Sequence, residues 1–360
     1  MNSNRIQAVD LGRGMSVFIM VMVHTLWMYG DIPTQSESTL GMVLHMLGKG
    51  TASFLVAMGI CFMLTKNASV SSAMVRGVYI LGIGYFMNAL KFLLPIIFNT
   101  VPESFIAAYG WEAPLTSGQL RYLLLTGDIL QLAGVCLLFM GLIRKFITNK
   151  YLVLALAVAI MIAACFVSGI RVGHEVVDYL LDMLWSKHYN IYFPVFPWFS
   201  CILVGMFFGM WYVEKQRDEA FMFSRMLAFG AIMVAIGGGL MAYDYQYHFG
   251  DFFHIGAGGI CYLIGLNLIG LWILYQITRR VKHNRFFALL EFFSSRVTSL
   301  YVIQWTLVCW GMGVIGYQTL NTWQLAAMIP VMLALTVVVQ VGREKIFAKP
   351  KPVKQAAMAQ

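Results

Sequence analysis

Ten apolar runs between residues 14 and 341 alternate with short polar connections, and no other feature restricts the fold as much. Crossing the roughly 30 Å hydrocarbon layer takes about 20 helical residues. The runs lie near 14–30, 41–64, 74–97, 120–143, 151–169, 195–213, 222–241, 255–277, 297–316 and 323–341. With 60% apolar residues, 11% charged residues and a mean hydropathy of +0.74, an ordinary soluble domain is excluded. We therefore expect an all-α, polytopic integral membrane protein. One domain would cover residues 1–345, followed by a short basic tail at 346–360.

Charge tests that count. With the N-terminus in the cytoplasm, inner segments collect 20 of the 25 basic residues, from Arg5 and Arg13 through Lys66 and Arg76 to Lys354. Outer loops hold Arg121, Arg171 and Lys187 against nine acidic residues, among them Glu103, Glu175, Asp182 and Asp251. Basic residues favour the cytoplasmic side, so both termini are expected there. The net charge of +9 is then a signal of topology and of anionic lipid heads rather than of nucleic acid.

The first run is the richest in chemistry. VDLGRGMSVFIMVMVHTLWMYG carries Arg13 at one end and His24 inside. Eleven residues apart, they share one helical face about 16 Å apart, with Asp10 within about 40° of the same stripe. Ionisable groups inside a membrane are costly and usually face a protein interior or wet cavity. An Arg at a helix end often only snorkels to the surface, but an aligned polar stripe asks for one shared reason. Further polar residues are expected in the outer half of the membrane: His45 and Lys49 on run two, Asn88 and Lys91 on run three, Asp128 and Gln131 two to three turns into run four. His254 opens run eight, and Tyr301 and Gln304 sit in run nine. One cavity spanning the protein would unite them, its reactive centre outside and its inner mouth holding an anion. Lys49, Lys91 and Asp128 can equally form charge pairs that only neutralise one another. His45, His248 and His254 lack metal-ligand spacing, so no metal is expected. Cys61, Cys136, Cys165, Cys201, Cys261 and Cys309 stand singly, without paired spacing. Phosphate-loop, dinucleotide, lipase-elbow and zinc-protease motifs are absent from the sequence.

At these residues the chain resembles the transmembrane acyltransferase superfamily. RIQAVDLGRGMSVFIMVMVH is similar to the start of bacterial relatives of heparan-α-glucosaminide N-acetyltransferase. Arg13, ten residues, then His24 also resembles the first-helix signature of acyltransferase type-three membrane enzymes. GTASFLVAMGICF (50–62), TGDILQLAGV (126–135), FPVFPWFSCILVG (193–205) and SRVTSLYVIQWTLV (295–308) extend the likeness in order along the chain. Two positions depart from it: the heparan enzyme has Asn where His24 stands, its reactive His coming later, and its relatives' LQR triplet is Leu130-Gln131-Leu132 here.

The resemblance implies transfer of an acyl group, acetyl above all, from cytoplasmic acyl-CoA to a sugar hydroxyl or amine of an extracytoplasmic glycan or glycolipid, in a bacterial inner membrane. It implies His24 and Asp128 as catalytic residues, and Arg13, Asp10 and Gln131 as donor-binding ones. His45, Lys49, Lys91, His254 and Gln304 remain candidate cavity residues; a homodimer is compatible with this reading. A proton-coupled transporter or lipid translocator is the rival expectation, since buried His and Arg would also bind a proton and an anion. A non-catalytic envelope subunit is a third.

Overall fold

The computed structural model describes residues 5–65 and 69–347. Among these residues there are helices and loops, two isolated parallel bridges and no strand. Ten helices are long and apolar enough to cross a membrane. They are α1 (Gln7–Tyr29), α2 (Thr39–Leu64), α3 (Val70–Ile97), α4 (Ile129–Phe146), α5 (Lys150–Val167), α6 (Val195–Glu214), α7 (Glu219–Tyr243), α8 (Ala257–Arg280), α9 (Val297–Ile315) and α10 (Thr322–Ile346). Each expected run has its helix, and the protein is an all-α, multi-pass membrane protein. Lys66 and most of the basic tail, residues 348–360, lie outside the described residues.

Three helices depart from the simple runs, all beside the same cavity. α2 is broken: one helix ends at Gly48, Lys49 caps it, and a second starts at Thr51 after Gly50. Glycine is a poor helix former, and the continuous apolar composition around it conceals the break. In α3 a π-helical stretch, Ala89–Leu93, brings the Leu94 N–H onto the Ala89 carbonyl. Pro95 follows, with no N–H to offer the Lys91 carbonyl. Such π-stretches are frequent at functional sites.

The fourth run is a correction. A separate short helix, Ser117–Leu124, precedes α4, and Asp128 is the N-cap of α4 rather than a residue two to three turns inside it. Capping boxes at Thr116/Gln119 and Asp128/Gln131 start the two helices separately. Apolar content alone runs straight across the gap.

Alternation of the spans puts the connections 30–38, 98–128, 168–194, 244–256 and 316–321 at the end of α1 that carries His24. The short helix Arg285–Ser295 lies at the Arg13 end. Helix α1 is the hub: it packs on Arg285–Ser295, α8, α9, α10 and both parts of α2. A Cβ on Gly14 would stand 2.0 Å from the Leu290 carbonyl oxygen, so only glycine lets α1 touch that short helix and bring Arg13 to Ser294. Helices α2 and α6 meet backbone to backbone at Gly59 and Gly205, each of whose Cβ positions would clash at 2.1 Å.

Candidate active site

A cavity of about 640 Å³ opens inside the His24 end, well within the range of small-molecule sites. Thirteen of its 31 lining residues are aromatic, and His24, Lys91, Asp128 and Tyr301 are its buried ionisable groups. His24 is held on two sides. Its Nδ1 lies 2.8 Å from Gln304 Nε2 and 3.0 Å from Gln304 Oε1. The Trp305 indole stacks on the imidazole, centroids 3.9 Å apart and planes 25° apart. His24 Nε2 has no hydrogen bond from the described residues. With Nδ1–H donating to Oε1, Nε2 is left bare and able to accept a proton.

Lys91 and Asp128 form a buried pair, Nζ to Oδ2 3.4 Å. The Lys91 ammonium also lies 4.5 Å from the Trp305 ring centroid and 4.8 Å from that of Phe92. A buried pair of this length needs support, since desolvation opposes it. Asp128 Oδ1 accepts from the Ile129 N–H at 2.7 Å, and the Gln131 Oε1 accepts from the Asp128 N–H at 3.0 Å. Asn88 Nδ2 donates to the Leu124 and Thr126 carbonyls at 2.9 and 2.7 Å, fixing the loop to α3. Gly127 bridges to the 190s loop, accepting from Tyr192 N–H and donating to the Asn190 carbonyl.

The other expected residues take varied places. His45 and Lys49 line one side of the cavity, His45 Nδ1 accepting from Trp27 Nε1 at 3.3 Å. Lys49 Nζ sits 4.4 Å over the Phe249 ring. Gln131 is fully buried behind Asp128 and does not line the cavity. His254 stands at the rim: Nδ1 is 2.8 Å from Asp251 Oδ2 and Nε2 3.0 Å from the Ile191 carbonyl. Burial raises the Asp251 carboxyl, but bonds from His254 and from the Phe253 and His254 N–H groups outweigh it and hold the pKa at about 2.

Arg13 and Asp10 lie apart from this group. Arg13 donates to Asp10 at 3.1 Å, to Ser294 at 3.0 Å and to Cys61 Sγ at 3.4 Å. Asp10 also pairs with Arg5 at 3.3 Å. Two of the five guanidinium N–H groups stay free for a ligand. Arg5 and Arg13, but not Asp10, face a second cavity of about 630 Å³, which Arg76, Arg296 and Arg343 also line, with Glu344 the one carboxylate among the described residues there. The expected through-going cavity is therefore two cavities. Ser16 and Thr51 floor one, Arg13 and Phe54 bound the other, and about one helical turn separates them. Ser16 Oγ bonds the Gly12 carbonyl at 3.0 Å and the Gly50 carbonyl at 3.4 Å across this partition.

Trp305, Trp27 and the tyrosines of the cavity escape sequence reasoning, because aromatic residues in apolar runs read as packing. Among the described residues no three His, Cys, Asp or Glu side chains are placed to hold a metal.

The catalytic domain of heparan-alpha-glucosaminide N-acetyltransferase matches residues 5–250. The chain belongs to that family. The match runs from α1 through α7 and takes in His24, Arg13, Lys91 and Asp128; the partners Gln304, Trp305 and Ser294 come from beyond it. No curated protein matches the chain. Membership makes the protein, in general terms, a membrane acyltransferase of the acetyltransferase kind.

Proposed function

We propose that the protein transfers an acyl group, acetyl above all, from acyl-CoA at the Arg13 end to a sugar hydroxyl or amine in the His24 cavity. The Arg13 end is then cytoplasmic and the His24 end extracytoplasmic, in a bacterial inner membrane. One observation carries this reading: a buried His24, oriented by Gln304, lines an aromatic cavity in a chain of an acetyltransferase family.

The chemistry follows from the residues. The acceptor gives its proton to His24 Nε2 as its lone pair attacks the thioester carbon. The thioester carbonyl oxygen gathers negative charge near the Lys91 ammonium, a fixed charge placed where that charge develops. Collapse expels the CoA thiolate, which takes the proton back from His24. Acyl-CoA and acceptor thus become acylated acceptor and free CoA thiol. Gln304 Oε1 keeps Nδ1 protonated throughout, and Asp128 holds the ammonium without a share in the bonds made. Aromatic faces with hydroxyl rims suit a sugar ring, whose faces are apolar and whose edges are polar.

Donor phosphates belong at the arginine-lined cavity, where guanidinium groups bind them through charge-assisted bonds. The pantetheine arm then reaches His24 through the Ser16–Gly50 partition, which has to open by a side-chain movement. Titration of purified protein with acetyl-CoA tests this assignment. Arg13→Gln is expected to weaken binding by about 1.5–3 kcal/mol, the scale of a hydrogen bond to a charged group, whereas His24→Ala leaves donor affinity nearly as it is. Equal donor binding by a folded Arg13→Gln protein contradicts the assignment.

A further inference from the structure

The two cations of the spans that line the His24 cavity, Lys49 and Lys91, differ in their partners. Lys91 meets Asp128 and Arg13 meets Asp10, but no carboxylate lies within ion-pair distance of Lys49 among the described residues. The break in α2 sets Lys49 about 15 Å below the start of that helix, where an unmatched charge is costly. Its immediate neighbours are the Phe249 ring, which attracts the ammonium, and His45. His45 Nδ1 accepts from Trp27, so the proton of the neutral ring sits on Nε2 and makes it a second donor.

These two groups stand at an opening. A side cavity of about 500 Å³ shares Gln35, His45 and Lys49 with the His24 cavity. Its exposed residues are the apolar Ile32, Met42 and Met46, 58%, 54% and 64% exposed, together with Ser36. Met42 and Met46 lie within span α2, where exposure is toward lipid, while Ile32 belongs to the connection just before it. A cation with a neighbouring donor therefore lies inside a doorway whose frame is apolar on the membrane side, at Met42 and Met46. A soluble acceptor has no need of such a frame; a molecule with a lipid tail does.

We propose that the acceptor is a membrane-anchored molecule whose head carries a phosphate, admitted sideways from the leaflet at the His24 end. Lys49 and the His45 Nε2–H hold the phosphate, the tail stays in the bilayer beside Met42 and Met46, and the head reaches the His24 cavity. An ammonium is a suitable point partner for a phosphate oxyanion. The proposal rests on the acyl-transfer reading for the chemistry of the head, but the site itself can be tested without it.

The test places the protein in phosphatidylcholine nanodiscs containing dioleoyl phosphatidic acid, whose head is a phosphate monoester, and measures retained lipid by native mass spectrometry. Wild type should retain phosphatidate in preference to phosphatidylcholine. Lys49→Gln should lower that preference about tenfold, and Met46→Trp, which fills the doorway, should lower it while leaving acetyl-CoA binding unchanged. Preference for phosphatidate that survives Lys49→Gln overturns the proposal. So does displacement of the lipid by equimolar glycerol 3-phosphate, which would mark a site for free phosphate. Lysine-dependent retention in a protein that binds no acetyl-CoA would uphold the lipid site and sink the acyl-transfer reading alone.

Discussion

At the scale of residues, His24 depends on Gln304 for its useful form. The amide lies against Nδ1 and can lock the proton there, so that Nε2 faces the cavity as an acceptor. Gln304 is a positioning residue, not one that touches the reacting atoms. Gln304→Leu should therefore lower kcat about tenfold through the lost buried hydrogen bond, with KM for acetyl-CoA little changed; a fall confined to KM would contradict this. Some of this was legible in advance. Arg13, Asp10 and His24 announce themselves as polar residues in the first apolar run, and the Arg13–Asp10 pair forms on the expected face. The stacking of Trp305 on His24 was not legible, because an indole in an apolar run is indistinguishable from packing until a polar ring is placed against it.

At the scale of elements, the connections at the His24 end convert ten helices into a site. The 190s loop is tied to Gly127, next to Asp128, and is clamped from above by His254 on the Ile191 carbonyl. Tyr189 donates to Asp251 at 3.0 Å and Asp251 holds His254, so one carboxylate governs the rim. Its folded pKa of about 2 lies below the ordinary value of 3.8. A depressed carboxylate contributes stability that is full above the unfolded value and is lost as pH falls through the folded one. Asp251→Asn should thus unfold roughly 1–2 °C below wild type at neutral pH, about the shift for 1 kcal/mol in a chain of this size. The gap should close between pH 3.8 and about 2. A gap independent of pH would show that Asp251 acts by shape alone. The break in α2 and the late start of α4 were hidden from hydropathy because both are set by caps, at Gly50 and Asp128, within unbroken apolar composition.

At the scale of the whole molecule, ten spans could be read from run length alone, since lipid leaves the backbone few choices. The division into two cavities could not. A single helical face carries both Arg13 and His24, and only the packing of Ser16 against the Gly50 carbonyl shows that the stripe is interrupted. The molecule has an arginine-lined chamber at one end, an aromatic one at the other and a thin partition between. That arrangement suits a donor and an acceptor that meet across a membrane and are otherwise kept apart. The central claim is that His24 carries the proton in this transfer. Release of CoA thiol from acetyl-CoA, in nanodiscs of native membrane lipids that supply the acceptor, measures it directly in purified wild type and His24→Ala. Alanine is favourable in a helix and leaves no buried charge, so the variant should fold. The account predicts a rate lower by about two to four orders of magnitude, the usual range for general acid–base catalysis, with acetyl-CoA still bound. A folded His24→Ala protein that releases thiol at the wild-type rate would contradict it.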